Sequence, residues 1–350
     1  MPVLQKLLSG IGLPDPAPGL EAQRALDRLT KPPGSLGRLE ELARRLAEIS
    51  GRFPPTIDRP VIFTLAADHG VVAEGVSAYP QIVTAQMVEN FLRGGAAVNV
   101  LARHAGAAVV VADMGVAGPL PAHPALVSAP IGRGTRNMCD GAAMTREEAL
   151  RAIEAGAGLV LAEGGLDLIG TGDMGIGNTT AASAVVAALT GLPPATVTGT
   201  GTGIDAEGRA RKVDAITRAL AVNRPDPADG VDVLAKVGGF EIAGLCGVIL
   251  AGAASRIPVV LDGFIAGAAA LAAVRLKPDV QAYLLASHRS TEPGAAHVLE
   301  ALGLEPFLDL DMRLGEGTGS ALCISLARAA VKILGEMATF KSAGVSERSP

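Results

Sequence analysis

Pro60-Val61-Ile62-Phe63-Thr64-Leu65-Ala66-Ala67-Asp68-His69-Gly70 is the stretch on which the fold turns. Residues 61–66 run apolar without polar alternation, the mark of a strand covered on both faces inside a parallel sheet. The run ends in polar residues. Outward from it, residues 107–114, 166–170, 258–261 and 280–285 read as further strands, and 307–311 as a candidate last one. Between them, helical text covers 84–92, 96–104, 145–163, 179–189, 205–222, 231–237, 242–254 and 264–274, and 320–337 closes the chain. Thr145-Arg146-Glu147-Glu148 matches a capping box at one of these helix starts. Such alternation predicts an α/β fold, a parallel sheet with helices on both faces.

Ahead of the first strand, residues 3–9, 20–29 and 36–49 show helical spacing. A rigid turn over 30–35 separates the last two, with Ser35 as candidate N-cap. This segment reads as a small helical unit. Residues 115–141 are long, irregular and rich in Pro and Gly, as functional loops often are.

The chain is 49% hydrophobic but only 3% aromatic, so Ala, Val, Leu and Ile must build its core. Net charge is −5 and no Lys/Arg-rich run occurs, which argues against nucleic acid as partner. Cys139, Cys246 and Cys323 form no CxxC pair and no disulfide framework, so a reducing cytoplasm is expected. The first ten residues are too short and mixed for a signal peptide, and apolar runs such as 242–254 are too short to span a bilayer.

Asp68-His69, Gly172-Asp173, Asp262-Gly263, Ser287 to Ser290 and Glu316 all follow predicted strands, so their polar groups converge on one sheet edge, where ligands of open parallel sheets bind. Three glycine-rich loops lie there. Gly170 to Thr180 places glycines 170, 172, 175 and 177 before a helix. It matches neither GxGxxG nor a P-loop. It reads either as a loop capped by Asn178 or Thr179, or as an anion site at a helix N-terminus. Thr198 to Asp205 is a second glycine–threonine loop, with Arg209, Arg211 and Lys212 in the helix behind it. Those three read as solvated charges or, for Lys212 above all, as a cation for a phosphate. In Arg313-Leu314-Gly315-Glu316-Gly317-Thr318-Gly319-Ser320, a carboxylate sits between glycines at a helix start. It reads as an exposed turn acid favoured by the helix dipole, or as a chemical group. The five histidines show no metal-ligand spacing, and no nucleophilic triad is evident.

Jointly, Thr30-Lys-Pro-Pro-Gly-Ser-Leu-Gly-Arg38, Ala67-Asp-His-Gly-Val-Val72, Gly172-Asp-Met-Gly-Ile-Gly-Asn-Thr-Thr180, Gly199-Thr-Gly-Thr-Gly203 and Leu314-Gly-Glu-Gly-Thr-Gly319 resemble the nicotinate-nucleotide–dimethylbenzimidazole phosphoribosyltransferases of cobalamin lower-ligand assembly. The resemblance runs from about residue 20 to 335. It implies transfer of the phosphoribosyl group of nicotinate mononucleotide to 5,6-dimethylbenzimidazole, with no metal or cofactor, by a homodimer. It implies a Rossmann-like catalytic domain over 60–319 and a small helical domain from 1–59 with 320–350. Glu316 is then the catalytic base, with Asp173 a second acid. Substrate contacts are expected from Ser77, Tyr79 and Gln86 near the benzimidazole, from Met174, Gly175, Gly177, Asn178, Thr179, Gly201, Thr202, Gly203 and Lys212, and from Asp262, Ser287, Gly315 and Gly317. A non-catalytic mononucleotide sensor, a transferase for another base, and an ATP-dependent enzyme are the alternatives. The last lacks GK[ST] and an evident magnesium carboxylate pair.

Overall fold

Six strands form one parallel sheet in the computed structural model, which describes residues 2–201 and 203–346. They are β1 (Pro60–Ala67), β2 (Ala108–Gly115), β3 (Leu126–Ser128), β4 (Leu168–Met174), β5 (Val259–Leu261) and β6 (Leu284–Ala286). Their order is β3-β2-β1-β4-β5-β6. The chain therefore runs outward from β1, returns to the centre, and runs outward the other way from β4. Loops leaving β1 and β4 diverge, and the crevice between them is where this sheet class binds ligands. Every residue of β1 and β4 is buried, which is why neither strand alternates in polarity.

Helices α1 (Pro2–Gly10), α2 (Ala17–Leu26) and α3 (Arg38–Ser50) precede the sheet. Between β1 and β2 come α4 (Val83–Leu92) and α5 (Ala97–Ala105), and α6 (Arg146–Glu163) leads to β4. From β4 to β5 run α7 (Asn178–Thr190), α8 (Pro194–Val197), α9 (Ala206–Asn223), α10 (Gly230–Val237) and α11 (Phe240–Ala254). Then come α12 (Phe264–Leu276), and after β6 α13 (Pro293–Ala301), α14 (Thr318–Glu336) and α15 (Phe340–Ala343). Thr145 caps α6 through a complete capping box, as its spacing predicts.

Helices α11 and α14 cover opposite faces. Gly244 of α11 lies against Leu65, whereas Ser320 of α14 and Ile62 meet at Gly170. Alternate residues of β1 thus feed the two layers. By length and composition alone α14 could cross a membrane, yet here it packs against β4, β5, α3 and α5. A core poor in aromatics fills its space by close helix approach. At the α6–α11 contact, a Cβ on Gly156 would collide with the carbonyl of Gly244, and one on Gly247 with that of Ile153.

Several boundaries differ from the sequence reading. Thr171 to Met174 continue β4 beyond Gly170 and do not form a turn, because Gly170 and Gly172 let α14 and the Glu316 backbone pack onto the sheet. The cap of α7 is Gly177 at φ +93°, not Asn178 or Thr179, and α3 starts after Gly37 with no bond from Ser35. Residues 278–283 form a 3-10 turn opened by Pro278, leaving only Leu284–Ala286 as strand. Residues 307–311 contribute a single bridge, Leu308 to His288, and Asp311 at φ +53° breaks the extension. The irregular 115–141 segment holds the edge strand β3, and α8, α13 and α15 went unread.

The glycines of α6 give a sharp test. Gly156→Ala should destabilise by about 2–3 kcal/mol, because the facing backbone cannot yield. Gly158→Ala, exposed and with nothing near its Cβ, should stabilise by about 0.5–1 kcal/mol through helix propensity. Urea midpoints moving in the same direction for both variants would count against this packing.

Candidate active site

The loop before α14 rests on the crevice between β1 and β4. Thr64 and Gly172 are register partners there, and the Glu316 carbonyl accepts from Thr64 Oγ1 at 3.2 Å. A Cβ on Gly172 would stand 2.6 Å from that carbonyl oxygen, so only glycine admits the loop. Gly315, Glu316 and Gly317 have φ of +83°, +64° and +95°. Glu316 is a non-glycine residue in the left-handed region, which costs about 1–2 kcal/mol. Such strain persists only where its surroundings enforce it.

Asp262, delivered by β5, does the enforcing. Its Oδ2 accepts from Gly317 N–H at 2.8 Å, and its Oδ1 from Gly319 N–H at 2.6 Å and Ser320 N–H at 3.2 Å. The first amides of α14 are thereby satisfied by a carboxylate from another element, in the place where a helix dipole favours negative charge. Ser287 supports this arrangement from below, donating to the Asp262 carbonyl at 2.8 Å and meeting His288 Nδ1 at 2.9 Å. A Cβ on Gly319 would strike His288 and Ser287, so that glycine admits the imidazole.

The Glu316 side chain faces a cleft of 860 Å³. It is 8% exposed, and among the described residues its carboxylate has no hydrogen-bond partner. Burial first, and the Asp262 charge second, push its pKa up to about 7. Asp173 closes the same region from the end of β4. Its Oδ2 accepts from Asn178 Nδ2 at 2.9 Å, while its Oδ1 has no partner among the described residues. Burial, then the Asp262, Glu241 and Glu316 charges, hold it well above the usual carboxylate range. Below the β4–α7 turn, His69 Nε2 meets Glu241 Oε1 at 2.6 Å, both buried, and Gly175 packs on this pair. His69 thus packs as a supporting group beneath the turn. Among the described residues no cluster of His, Cys, Asp and Glu suits a metal.

Behind Thr179, and itself off the cleft lining, buried Lys212 donates to Thr179 Oγ1 at 2.6 Å. Burial lowers the Lys212 pKa to about 8, against a raising effect of Glu292. Among the described residues, the lysine reaches the α7 start through Thr179.

Of the residues expected from sequence, Tyr79, Asp173, Met174, Gly175, Asn178, Thr179, Gly201, Gly315 and Glu316 line this one cleft. Asp262, Ser287 and Gly317 lie beneath it and build the loop instead of facing ligand, and Gly177 is buried as the α7 cap. Ser77 accepts from the Tyr79 N–H and lies off the lining, as does Gly203. Gln86 is exposed, while Val83, Met87 and Asn90 of the same helix line the cleft. Thr202 lies outside the described residues. His288 and Ser290, placed on the binding edge by the sequence reading though not named as substrate contacts, line the cleft, whereas Glu292 and Arg313 were missed as lining groups. The 83–87–90 spacing of one helical face was a readable signal for the α4 side.

A family model described as phosphoribosyltransferase matches residues 11–345. The curated nicotinate-nucleotide–dimethylbenzimidazole phosphoribosyltransferases of Chloroflexus aggregans and Roseiflexus sp. are each 57% identical to this chain, covering 99% of it and 99% of their own length. That of Geobacter metallireducens is 56% identical with the same coverage. The crystal structure of the enzyme of that name from Thermus thermophilus superposes with a TM-score of 0.89 at 52% identity, covering 95% of this chain and 100% of its own. A second structure from that organism, named CobT, gives 0.90 at 53% identity with the same coverage. With the same sheet and more than half its residues shared across essentially the whole length, this chain belongs to the nicotinate-nucleotide–dimethylbenzimidazole phosphoribosyltransferase family.

Proposed function

We propose that this chain transfers the phosphoribosyl group of nicotinate mononucleotide to 5,6-dimethylbenzimidazole, giving α-ribazole 5′-phosphate and nicotinate in cobalamin lower-ligand assembly. The names of its relatives support this reading. The observation that carries it is one carboxylate, Glu316, without a hydrogen-bond partner among the described residues and held in a strained loop on the cleft.

The chemistry asks for little else. The pyridinium nitrogen of the donor is already cationic, so when its bond to C1′ breaks the electron pair neutralises it and nicotinate leaves. The free imidazole nitrogen of the acceptor bonds C1′ from the opposite face of the sugar. Its other nitrogen, now on a cationic ring, gives its proton to the Glu316 carboxylate. A base with a pKa near the working pH is suited to that transfer. Its negative charge also stabilises the charge growing on the ring, strongly so in a dry site. Burial and the neighbouring acids raise the Asp173 pKa, which favours Glu316 as the base, while Asp173 accepts from Asn178 and closes the site beside it. The start of α7, with Thr179 and Lys212, supplies donors and charge for the 5′-phosphate.

Two copies of the chain would form the working unit. Tyr79 and Leu314 line the cleft yet are 53% and 58% exposed, apolar surface suited to cover by a partner. Residues 1–59 and 320–350, meeting where α3 packs on α14, would form the small domain, with residues 1 and 347–350 outside the described residues. The three cysteines are free and buried, in keeping with a reducing cytoplasm.

Glu316→Gln should lower kcat by roughly 10² to 10⁴-fold with the fold intact, the range for a lost general base. Asp173→Asn keeps a neutral polar group and should cost less than about tenfold. Nicotinate release from both variants checks this, and full activity of Glu316→Gln removes it from the mechanism.

The pH dependence follows in sign. Glu316 must be ionised to accept a proton, so kcat/KM should rise with pH up to about 7. Lys212 must be charged to hold the phosphate, so kcat/KM should fall above about 8. Lys212→Met should lower kcat/KM at pH below about 8 and leave no alkaline limb; a limb that survives belongs to another group. Light scattering tests the dimer, and a stable monomer at assay concentration would remove it.

A further inference from the structure

Gly201 is gripped by side chains from elements far apart in sequence. Its N–H donates to Glu292 Oε1 at 3.0 Å, and its carbonyl accepts from Arg313 Nη1 at 3.0 Å. Its φ is +52°, and a Cβ there would stand 2.7 Å from Thr179 Oγ1 and 2.9 Å from Lys212 Nζ. At Gly199 a Cβ would collide with Glu292 Oε2. Both glycines are therefore required by what lies against them. Glu292 is the N-cap residue of α13, is 6% exposed, and its Oε2 has no hydrogen-bond partner among the described residues. A buried carboxylate this close to the lysine of an anion site works against the anion unless it serves another end.

We propose that Glu292 and Arg313 are positioning residues: they clamp the main chain of Gly201 from its two sides and so fix the wall at the phosphate end of the cleft. This rests on the phosphoribosyl-transfer reading. Glu292 holds the N–H, Arg313 holds the C=O, and the glycine is pressed flat on the Thr179–Lys212 pair. The donors of that pair are then aimed before the nucleotide arrives, which spares it the cost of ordering them. The three contributors come from α7 with α9, from the start of α13, and from the loop that carries Glu316. The clamp thus ties the phosphate end of the cleft to the catalytic loop.

The test uses the full chain with Glu292→Ala, Glu292→Gln, Arg313→Ala and the double alanine variant. KM is measured for nicotinate mononucleotide and for dimethylbenzimidazole, and amide exchange is followed across residues 199–201 by mass spectrometry. Each single alanine variant should raise the nucleotide KM about tenfold, leave the benzimidazole KM within about twofold, and speed the exchange. The double variant should be within about twofold of the worse single, because both residues hold one main-chain unit. Glu292→Gln keeps an acceptor oxygen and should stay within about threefold of wild type. Multiplied effects near a hundredfold, tighter nucleotide binding in Glu292→Gln, an equal rise in both KM values, or unchanged exchange would each overturn the clamp. Should the wild-type chain release no nicotinate, the transfer reading fails on that result, and the exchange rates alone decide whether the clamp exists.

Discussion

The carboxylate of Asp262, bonded to three backbone N–H groups at the start of α14, is the interaction on which the site depends. Hydrogen bonds to a charged group contribute about 1.5–3 kcal/mol each. Three of them outweigh the cost of holding Glu316 in a left-handed conformation. The same charge acts at a distance on Glu316, adding to burial and lifting that carboxylate towards neutrality. One buried acid thus fixes where the proposed base stands and adds to what burial does to its pKa. Its own ionisation is opposed by burial and supported by His288 and the three amides.

Glycine makes this possible by letting main chains lie on one another. Gly172 carries the Glu316 carbonyl, Gly319 admits the His288 ring, Gly175 sits on the His69–Glu241 pair, and Gly201 lies on Thr179 and Lys212. The helices do the same at the α6–α11 contact, where side chains would hold the backbones apart. A core built from Ala, Val, Leu and Ile, with 44 glycines and no tryptophan, gains cohesion from proximity and not from large rings.

Much of this was legible in the sequence for physical reasons. Buried parallel strands lack alternation, so residues 61–66 announced a central strand, and polar groups after each strand marked the binding edge. Glu316 stood out because an acid between glycines is unusual packing. Other features depended on tertiary contact and left no local trace. Asp262 resembled a ligand contact at a strand end, but its oxygens were claimed by amides some 55 residues on. Gly172 read as a turn residue because glycine's usual reason is conformational, whereas here the reason is space for the Glu316 backbone. Glu292 and Arg313 are ordinary surface residue types whose partners come from a distant loop.

The order of the chain has a consequence for its synthesis. Asp262 leaves the ribosome well before Gly317, Gly319 and Ser320, so a growing chain carries the acid with nothing to hold. The sheet, from β1 to β6, is complete before Glu316 is translated. Until α14 is made, one face of that sheet lacks its cover and the Asp262 carboxylate lacks its amides, so a prematurely terminated polypeptide lacks the support that holds the Glu316 loop.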